Sequence, residues 1–571
     1  MPETLPQNGA VADQLDLLAD LSELLGEEGF RITAYRRAAT RIRETPGSVA
    51  EMALAGKAKE LQGIGRTIEE KIVEVVQLGE MSALTKRRTQ VPEGLVAFLH
   101  LPGLGPKTAA RIWRELGVTT LDGLREAAEA QRLRALAGLG ARSEEKILEA
   151  LRKGIGADAP RRTPLGVGLP VVLEAVETLR AHPAAIRVSE AGSVRRRRET
   201  FRDLDLIATA TDPAALTREF VHLPLVAETV AHGDSKATVI SGNGLRFDLR
   251  VVPPKSFGNL LQHFTGSKEH NVALREEAVR RGFSVSEYGI TTVATGEVFA
   301  TEDEEEVYAH LGYQFIAPEL RENTGELEAA REGRLPRLVE AGDLKGDLHT
   351  HSTWSSDGKA TLEEMALAAR ARGYRYLVMT DHSHYLRDGR LELQAAAIDE
   401  LNRRMKPFRI LRGIEVNIRA DGSLDVSDDT LATLDWVIAS LHTAFDRNAT
   451  ERVLEAVENP HVDCIGHLTG RKLSRRHGAD IDVERVVARC VATMTALEID
   501  SQPDRLDLRD VHARLAGEAG VPVCIDSDAH SVQALGYVDY GVAVARRAWL
   551  TKKQILNTRP WRDIERLTHA R

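Results

Sequence analysis

A chain of 571 residues is too long for a single hydrophobic core, so the sequence predicts several domains. Its 43% hydrophobic and 28% charged residues are ordinary globular composition, and the absence of an apolar run of about 18 residues argues against a membrane span. The net charge of −9 argues against general nucleic-acid binding, but residues 81–205 hold 22 basic against 15 acidic side chains. A locally basic surface on an acidic protein can still contact phosphates.

The start of the chain and its cysteines indicate a cellular compartment. No basic region followed by an apolar stretch occurs at the N-terminus, so no secretory signal is expected. The three cysteines, Cys464, Cys490 and Cys524, are too few for a disulfide framework. A reducing cytoplasm is therefore expected.

The first 150 residues contain a short motif, Leu-x-Gly-x-Gly, three times. A helical pattern follows each copy. The glycines allow a tight turn, and the backbone N–H groups exposed there can bind a phosphate at a helix N-terminus. Three copies at roughly 35–40-residue spacing predict helix-hairpin-helix motifs, with an all-helical packing module as the alternative. The copies are residues 61–65, 101–105 and 136–140, and the expected DNA contacts are Gly63, Gly65, Gly103, Gly105 and Lys107, with Arg246 further on.

The rest of the chain alternates between strand and helix patterns. The stretch 157–164 contains two prolines and predicts a linker, a helix is expected at 302–311, and the charged stretch 320–343 indicates a connector. From residue 344, short apolar strands alternate with helical stretches, which favours a barrel with its chemistry at the strand C-termini. Strands are expected at 204–208, 237–241, 245–252, 376–379, 409–415, 436–440, 496–499 and 521–525.

Three aspartates in the first group of strands predict a site for divalent cations. Asp203 and Asp205 are two residues apart, so both side chains leave the same face of their strand. Asp248 alternates with apolar residues and shares its face with Arg246 and Arg250. If the two strands are neighbours, three carboxylates converge, which is costly unless divalent cations neutralise them. Two metal ions held this way suit nucleotidyl transfer.

A turn upstream of these aspartates could bind a triphosphate. Gly192-Ser193 would approach the phosphates, and Arg196 would act as a charge clamp. Together with the aspartates, this pattern resembles the X-family DNA polymerases of the polymerase-beta type, over residues 1–325. The motifs that carry the resemblance are Gly192-Ser193-x-Arg195-Arg196, Asp203-x-Asp205, Arg246-x-Asp248, Phe264-Thr265-Gly266-Ser267, Asn271, Arg275 and Glu287-Tyr288.

The resemblance implies a role for each matching residue. Asp203 and Asp205 would hold two Mg²⁺ or Mn²⁺ ions, and Asp248 would assist the primer 3′-hydroxyl. The nucleotide would contact Gly192, Ser193, Arg196, Phe264, Gly266, Asn271 and Arg275. Three positions depart from the family pattern. His263 stands where a tyrosine is common, Phe201-Arg202 replace small residues, and Thr67 stands where a phosphate-binding lysine is usual. Lys71 falls at the Schiff-base position of the family's small lyase domain.

Ligand-type residues concentrate in the last part of the chain, where residues 344–571 hold 11 of the 18 histidines. Most of these candidates come just after an apolar run, where a barrel places its chemistry. Histidine and carboxylate ligands suit zinc, manganese or iron. The segment resembles the PHP phosphoesterase domain, and the resemblance implies up to three metal ions. The matching ligands are His349, His351, Asp357, His382, Glu415, His442, His467, Asp528 and His530.

The sequence therefore predicts a multidomain α+β and α/β protein. The expected domains are a helical lyase-like domain (1–90), a second helix-hairpin-helix subdomain (91–160), a nucleotidyltransferase palm (161–258), a nucleotide-selecting subdomain or thumb (259–325), a linker (326–343) and a distorted (β/α)7-type PHP barrel (344–571). The resemblance implies a monomeric, cytoplasmic enzyme that fills gaps in DNA with dNTPs during base-excision or break repair and trims 3′ ends. Three alternatives remain: a phosphoesterase whose other half only tethers DNA, a non-catalytic end-bridging protein, and a template-independent transferase.

Overall fold

The computed structural model describes residues 5–6, 8–27, 29–45, 48–61, 63–101, 104–136, 139–152, 162–474, 476 and 478–568. The chain divides into two compact units. The first comprises Met1–Thr163, Val167–Ala191 and Phe201–Leu261, and the second comprises Pro164–Gly166, Gly192–Thr200 and Gln262–Arg571. Within the described residues, no helix has both the length and the apolar character needed to cross a membrane.

The first unit begins with a helical module. Its apolar faces form one core that includes Leu15, Ile72 and Ile112. Glycines set the helix limits here: α4 starts after Gly65 and ends at Gly79, whose left-handed backbone (φ 80°) a glycine adopts without strain. The helices are α1 (Asn8–Leu25), α2 (Gly29–Glu44), α3 (Val49–Leu54), α4 (Arg66–Leu78), α5 (Ser82–Arg88), α6 (Pro106–Leu116), α7 (Leu121–Glu129) and α8 (Ala141–Arg152).

A five-stranded sheet follows in the first unit, with strand order β2-β4-β7-β6-β5. β4 and β7 are parallel neighbours at the centre, and the other pairs are antiparallel. The strands of this sheet are β2 (Ala185–Glu190), β4 (Asp203–Ala210), β5 (Val226–His232), β6 (Lys236–Ser241) and β7 (Arg246–Val251). Two short strands of the same stretch, β1 (Thr163–Pro164) and β3 (Thr200–Phe201), are not part of it. The helices of this stretch are α9 (Leu165–Arg180), α10 (Gly192–Arg195), α11 (Pro213–Val221) and α12 (Phe257–Thr265).

The second unit contains a small α/β region with its own core, which includes Leu274, Tyr308 and Ile316. Its three short strands form an antiparallel sheet in the order β10-β9-β8. The helix expected at 302–311 is present as α14. Ala330 of α15, in the stretch expected as a connector, packs into this core. The elements are α13 (Lys268–Arg280), β8 (Phe283–Ser286), β9 (Gly289–Thr292), β10 (Val298–Phe299), α14 (Glu304–His310) and α15 (Glu326–Arg331).

The second unit also contains a barrel of seven parallel strands in sequential order. A bridge between Thr350 and Ala529 brings the first strand beside the end of the last, so the barrel is nearly closed. This confirms the predicted barrel. Its strands are β11 (Gly346–Thr350), β12 (Tyr376–Met379), β13 (Arg409–Asn417), β14 (Trp436–Ser440), β15 (Cys464–Ile465), β16 (Ala496–Asp500) and β17 (Val523–Asp526).

Helices surround the barrel strands and close one end. One apolar cluster takes a residue from every strand, among them Leu348 and Trp436, and joins them to Trp561 of the last helix. The barrel helices are α16 (Leu362–Ala371), α17 (Arg390–Arg404), α18 (Asp428–Leu431), α19 (Ala449–Glu458), α20 (Val483–Thr493), α21 (Asp510–Ala519), α22 (Val538–Arg547) and α23 (Trp561–Thr568). Short 3₁₀ segments lie at Ala58–Glu60, Glu93–His100, Leu133–Ala135, Pro254–Ser256, Pro318–Leu320, Ala341–Asp343, Ser383–Tyr385, Gln533–Tyr537 and Leu556–Thr558.

Candidate active sites

The alternation of the barrel strands carries the predicted ligands to one end of the barrel. Side chains that point into the barrel recur at every second position of a strand. The same inner face therefore carries apolar residues in the barrel interior and ligand-type residues at or just beyond the end of the strand. The buried residues Val378, Leu411, Ile438 and Cys524 are followed four positions later by His382, Glu415, His442 and Asp528. In β11 the register shifts between Asp347 and Thr350, and this irregularity turns His349 towards the same end.

Glu415 lies at the centre of this cluster. Its carboxylate oxygens lie 2.7 Å from His382 Nδ1, 3.0 Å from His467 Nε2 and 3.2 Å from His442 Nε2. They also lie 3.6 Å from His349 Nε2 and 3.7 Å from His351 Nε2. Glu415 is 1% exposed, and neither of its side-chain oxygens has a hydrogen-bond partner.

The two remaining carboxylates join the same cluster from either side. Asp528 Oδ1 lies 3.1 Å from His351 Nε2 and 3.6 Å from His349 Nε2. Asp357 Oδ2 lies 3.3 Å from His382 Nε2 and 3.4 Å from His530 Nε2. The structure therefore brings all nine predicted ligand residues of the barrel together.

The donor set fits metal ions. Three groups of ligand atoms lie within 4.8 Å of one another: His351/His382/His530, His349/His351/Glu415 and His382/Glu415/His442. Several of these atoms are buried without a hydrogen-bond partner, including both ring nitrogens of His351. A buried polar atom without a partner is costly, and coordination to a cation would satisfy it. The residues therefore fit metal ions bound through nitrogen and oxygen ligands.

The packed carboxylates and imidazoles shift one another's pKa in both directions: burial lowers the pKa of His382, but Glu415 and Asp357 outweigh it and raise that pKa to about 10. Burial raises the pKa of Glu415, but the neighbouring histidines His442, His382 and His349 outweigh it and hold that pKa well below its usual value. Burial lowers the pKa of His351 well below its usual value, with help from His530 and His382. An ionised carboxylate and a neutral imidazole are the forms that bind metals.

Supporting residues that local sequence patterns did not predict orient the ligands. Glu498 Oε1 lies 2.6 Å from His349 Nδ1, and Asn417 Oδ1 lies 2.7 Å from His442 Nδ1. The backbone oxygen of Asp528 lies 2.8 Å from His530 Nδ1. Such partners fix the ring orientation of a metal-ligating histidine. A carboxylate at 498, between the apolar residues Leu497 and Ile499, was the available signal for Glu498.

Two ligand candidates have strained backbones. His467 (φ 37°) and Asp528 (φ 46°) both adopt the left-handed region, which residues other than glycine rarely occupy. Strain of this kind persists where the surrounding structure requires it, and it clusters at functional sites.

The palm aspartates lie on the two central strands of the five-stranded sheet. Asp205 and Asp248 are direct partners in the parallel pair β4/β7, and Asp203 is opposite Arg246. Leu204 and Leu206 are buried while Asp203 and Asp205 are half-buried, so the predicted alternation is confirmed. Neighbouring strands are about 4.8 Å apart, which places the three carboxylates on one face of the sheet.

Asp248 is held by hydrogen bonds in this structure. Arg246 Nε donates to Asp248 Oδ2 at 3.0 Å, and the Thr238 hydroxyl donates to Oδ1. Burial raises the pKa of Asp248, but these two hydrogen bonds outweigh it and lower that pKa below its usual value. The carboxylate is therefore kept ionised, although the three aspartates are not among the compact ligand groups of the described residues.

The residues expected to bind the triphosphate lie on the segment Gly192–Thr200 of the second unit. Gly192 (φ 62°) and Ser193 begin the short helix α10. Arg196 is not free: its Nε donates to Glu322 Oε1 at 3.0 Å, and its Nη1 donates to the backbone oxygen of Thr265. A Cβ atom added at Gly266 would lie 3.0 Å from Arg196 Nη1, so this close approach suits a glycine.

The expected nucleotide-selecting residues contact His263. Arg275 Nη2 lies 2.8 Å from His263 Nδ1, and Asn271 Nδ2 donates to the His263 backbone oxygen at 2.7 Å. The Phe264 ring lies 5.3 Å from the His263 ring, centroid to centroid. These residues form one group, and their roles toward a nucleotide stay predictions.

The helix-hairpin-helix glycines lie at helix starts. Gly63 has a left-handed backbone (φ 90°), and Gly65 and Gly105 are the N-caps of α4 and α6. Gly103 lies outside the described residues, as does the side chain of Lys107 in α6. Lys71 is half-buried on α4.

Comparison with known proteins finds similarity along most of the chain. Four family models match: a helix-hairpin-helix domain (residues 6–81), a SAM-like helix-hairpin-helix tandem (96–153), the DNA polymerase beta thumb (260–322) and the PHP domain (347–494). Two probable phosphatases, from Thermoanaerobacter sp. and Thermoanaerobacter pseudethanolicus, are each 30% identical over 226 residues, which is 37% of this chain and 89% of theirs.

A relative from Bacillus subtilis, described as DNA polymerase/3′-5′ exonuclease PolX, is 42% identical over 562 residues. The match covers 96% of this chain and 97% of the relative. This similarity confirms the resemblance drawn from the sequence. The chain therefore belongs to the family of bacterial DNA polymerase/3′-5′ exonuclease PolX proteins.

Proposed function

We propose that this protein is a DNA-directed DNA polymerase that fills short gaps during DNA repair and removes nucleotides from 3′ ends with its C-terminal barrel. The observation that carries the proposal is the presence of two separate acidic sites in one chain. Asp205 faces Asp248 across two parallel strands, and Glu415 is surrounded by five histidines. The Bacillus subtilis relative is named for both activities.

In the palm, Asp203, Asp205 and Asp248 would hold Mg²⁺ or Mn²⁺. When bound, such ions neutralise the triphosphate and activate the attacking hydroxyl. Arg246 and Thr238 would keep the Asp248 carboxylate oriented and ionised. Gly192, Ser193, Arg196, Phe264, Gly266, Asn271 and Arg275 are the proposed nucleotide contacts.

In the barrel, the nine ligand residues would hold Zn²⁺, Mn²⁺ or Fe. Bound ions there supply a Lewis acid to the phosphodiester and activate a water molecule. Glu498 and Asn417 hold His349 and His442 in the required orientation. The helix-hairpin-helix motifs would grip the DNA backbone without reading sequence. We further propose a monomer that acts in the cytoplasm, with Lys71 as a candidate lyase amine.

A second activity of the barrel is favoured by one observation. The two Thermoanaerobacter relatives are named probable phosphatases, so the barrel could also remove a terminal 3′-phosphate. Duplexes with a 3′-hydroxyl or a 3′-phosphate at the same gap distinguish the two reactions.

Gapped and blunt duplexes with labelled dNTPs test the proposal. We expect template-directed incorporation at the gap and stepwise shortening of an unpaired 3′ end. Incorporation of all four nucleotides regardless of the template would instead indicate a template-independent transferase. Shortening without any incorporation would indicate a phosphoesterase whose other half only tethers DNA.

A further inference from the structure

Two basic residues lie on a turn that follows the candidate ligand His467. Gly470 N donates to the His467 backbone oxygen at 3.1 Å, and the chain then folds back on itself. Lys472 and Arg476 exchange two backbone hydrogen bonds of 2.9 Å each. We call residues 471–474 and 476 the basic hairpin. Its origin beside His467 places it at the metal-binding end of the barrel.

The basic hairpin is anchored on the loop that follows β16. Leu473 N donates to the Asp504 backbone oxygen at 2.6 Å, and Lys472 Nζ lies 2.8 Å from an Asp504 carboxylate oxygen. This packing brings Arg505 next to the hairpin. The Arg505 side chain is 15% exposed, and its Nη2 lies 3.9 Å from Oδ2 of the ligand candidate Asp528. Its Nε is buried without a hydrogen-bond partner and lies 3.4 Å from Asp500 Oδ2.

Arg476 is held in place although it is exposed. Its guanidinium lies 4.3 Å from the centroid of the Phe445 ring, and its Nε donates to the Gly470 backbone oxygen at 3.1 Å. Phe445 follows the candidate ligand His442, so this contact joins two loops that carry ligands. Within the described part of the chain, no carboxylate forms an ion pair with Arg476. A cation fixed at the rim by an aromatic ring is preorganised to bind an anion.

The three cations also repel one another. Burial lowers the pKa of Lys472 and the pKa of Arg476, and the nearby Arg505 cation lowers both further. Asp504 offsets the charge of Lys472, and Asp500 and Asp528 offset that of Arg505. Arg476, which has no carboxylate partner among the described residues, is therefore the cation best placed to bind an anion.

We propose that Arg476 and Lys472, with Arg505 behind them, bind a backbone phosphate next to the one hydrolysed in the barrel. The ligand is a nucleic-acid strand, because each phosphodiester in a strand has a second backbone phosphate one nucleotide away. This inference rests on the proposed nuclease function. It adds a site that recognises a strand rather than a single phosphate ester.

The test compares two substrates in the full-length protein. One is a single-stranded oligonucleotide, and the other is bis(4-nitrophenyl) phosphate, which has no neighbouring phosphate. Arg476→Gln and Lys472→Gln should each raise KM for the oligonucleotide about tenfold, the loss expected for one charge-assisted hydrogen bond, with kcat unchanged. Each should also reduce the slope of log KM against log salt by about one. Hydrolysis of the small ester should not change, and Arg476→Lys should recover part of the loss.

Arg485→Gln is the matched control. Arg485 lies on α20 of the same barrel, is exposed, and pairs with Glu451. An unchanged oligonucleotide KM in the hairpin variants would overturn the inference. An equal loss of activity on both substrates would also overturn it, because it would mean that these residues support the metal-binding cluster. If the unaltered protein hydrolysed neither substrate, the proposed nuclease function itself would fail.

Discussion

Glutamine in place of Glu415 removes a negative charge from the centre of the barrel cluster and hardly changes the size of the side chain. The carboxylate lies within 2.7–3.7 Å of five histidine nitrogens and belongs to two of the three compact ligand groups. Loss of a residue that only supports a metal ligand costs about 10–100-fold in metal affinity. Glu415 is itself a candidate ligand, so Glu415→Gln should lower the metal affinity of both of its ligand groups by about a hundredfold or more. Bound ions would stabilise the transition state of hydrolysis by several kcal/mol, so their loss should lower the nuclease rate about a thousandfold.

The assay for Glu415→Gln has two parts. Elemental analysis after gel filtration measures the metal content, and release of nucleotides from a labelled single strand measures the nuclease. Glu451→Gln is the control, because Glu451 is an exposed carboxylate of the same barrel that pairs with Arg485. Full metal content and full nuclease activity in Glu415→Gln would refute the placement of the ions around this residue.

Three further predictions concern other parts of the chain. Asp205→Asn should reduce nucleotide incorporation at a gap about a thousandfold, because it removes a metal-binding charge, and primer extension measures this. Arg547→Met removes the donors to Asp510, Glu322 and the Arg196 backbone oxygen. Breaking a buried ion pair costs about 3–5 kcal/mol, so the melting temperature should fall by about 10 °C, and KM for dNTP should rise because Arg196 loses support. Burial raises the pKa of Glu304, but Arg321 and Arg195 outweigh it and lower that pKa from 4.5 to about 2. Its stabilisation, roughly 3 kcal/mol, is complete above pH 4.5 and is lost as the pH falls towards 2. The melting temperatures of Glu304→Gln and the unaltered protein should therefore differ by the full amount above pH 4.5 and converge as the pH falls from 4.5 towards 2.

Each of these predictions has a result that would contradict it. Incorporation by Asp205→Asn at the rate of a control, Asp234→Asn at an exposed position, would remove Asp205 from the palm site. An unchanged melting temperature and dNTP KM in Arg547→Met would show that this ion-pair network stabilises nothing. A pH-independent difference for Glu304→Gln would mean that the carboxylate does not act through its charge.

Local patterns predicted the parts of both sites that depend on strand alternation. Asp203 and Asp205 share a face because they are two residues apart, and the structure places both on β4. His382 follows an apolar strand and Glu415 lies near the end of another, and alternation carries both to the same end of the barrel. Several strands escaped prediction, and β5 and β15 did so because they lack this pattern. β5 is exposed at nearly every position, and β15 has only two residues, so neither shows a clear apolar pattern.

Contacts between distant segments could not be predicted from local patterns. Arg196 was expected to act as a charge clamp for a triphosphate, and its pairing with Glu322, which also accepts from Arg547 Nη1 at 3.0 Å, was not foreseen. These residues are separated by 126 and 225 positions along the chain. The backbone strain at His467 likewise has no signature in the sequence, because it arises from tertiary packing.

A gapped duplex with one mismatched 3′ nucleotide tests the central claim, that two independent sites act on one DNA end. The unaltered protein should remove the mismatch and then fill the gap. Asp205→Asn should stop after removal, Glu415→Gln should not start, and an equal mixture of the two variants should restore the filled product. Completion of the reaction by either variant alone, or loss of both removal and filling in either one, would contradict the assignment of separate sites.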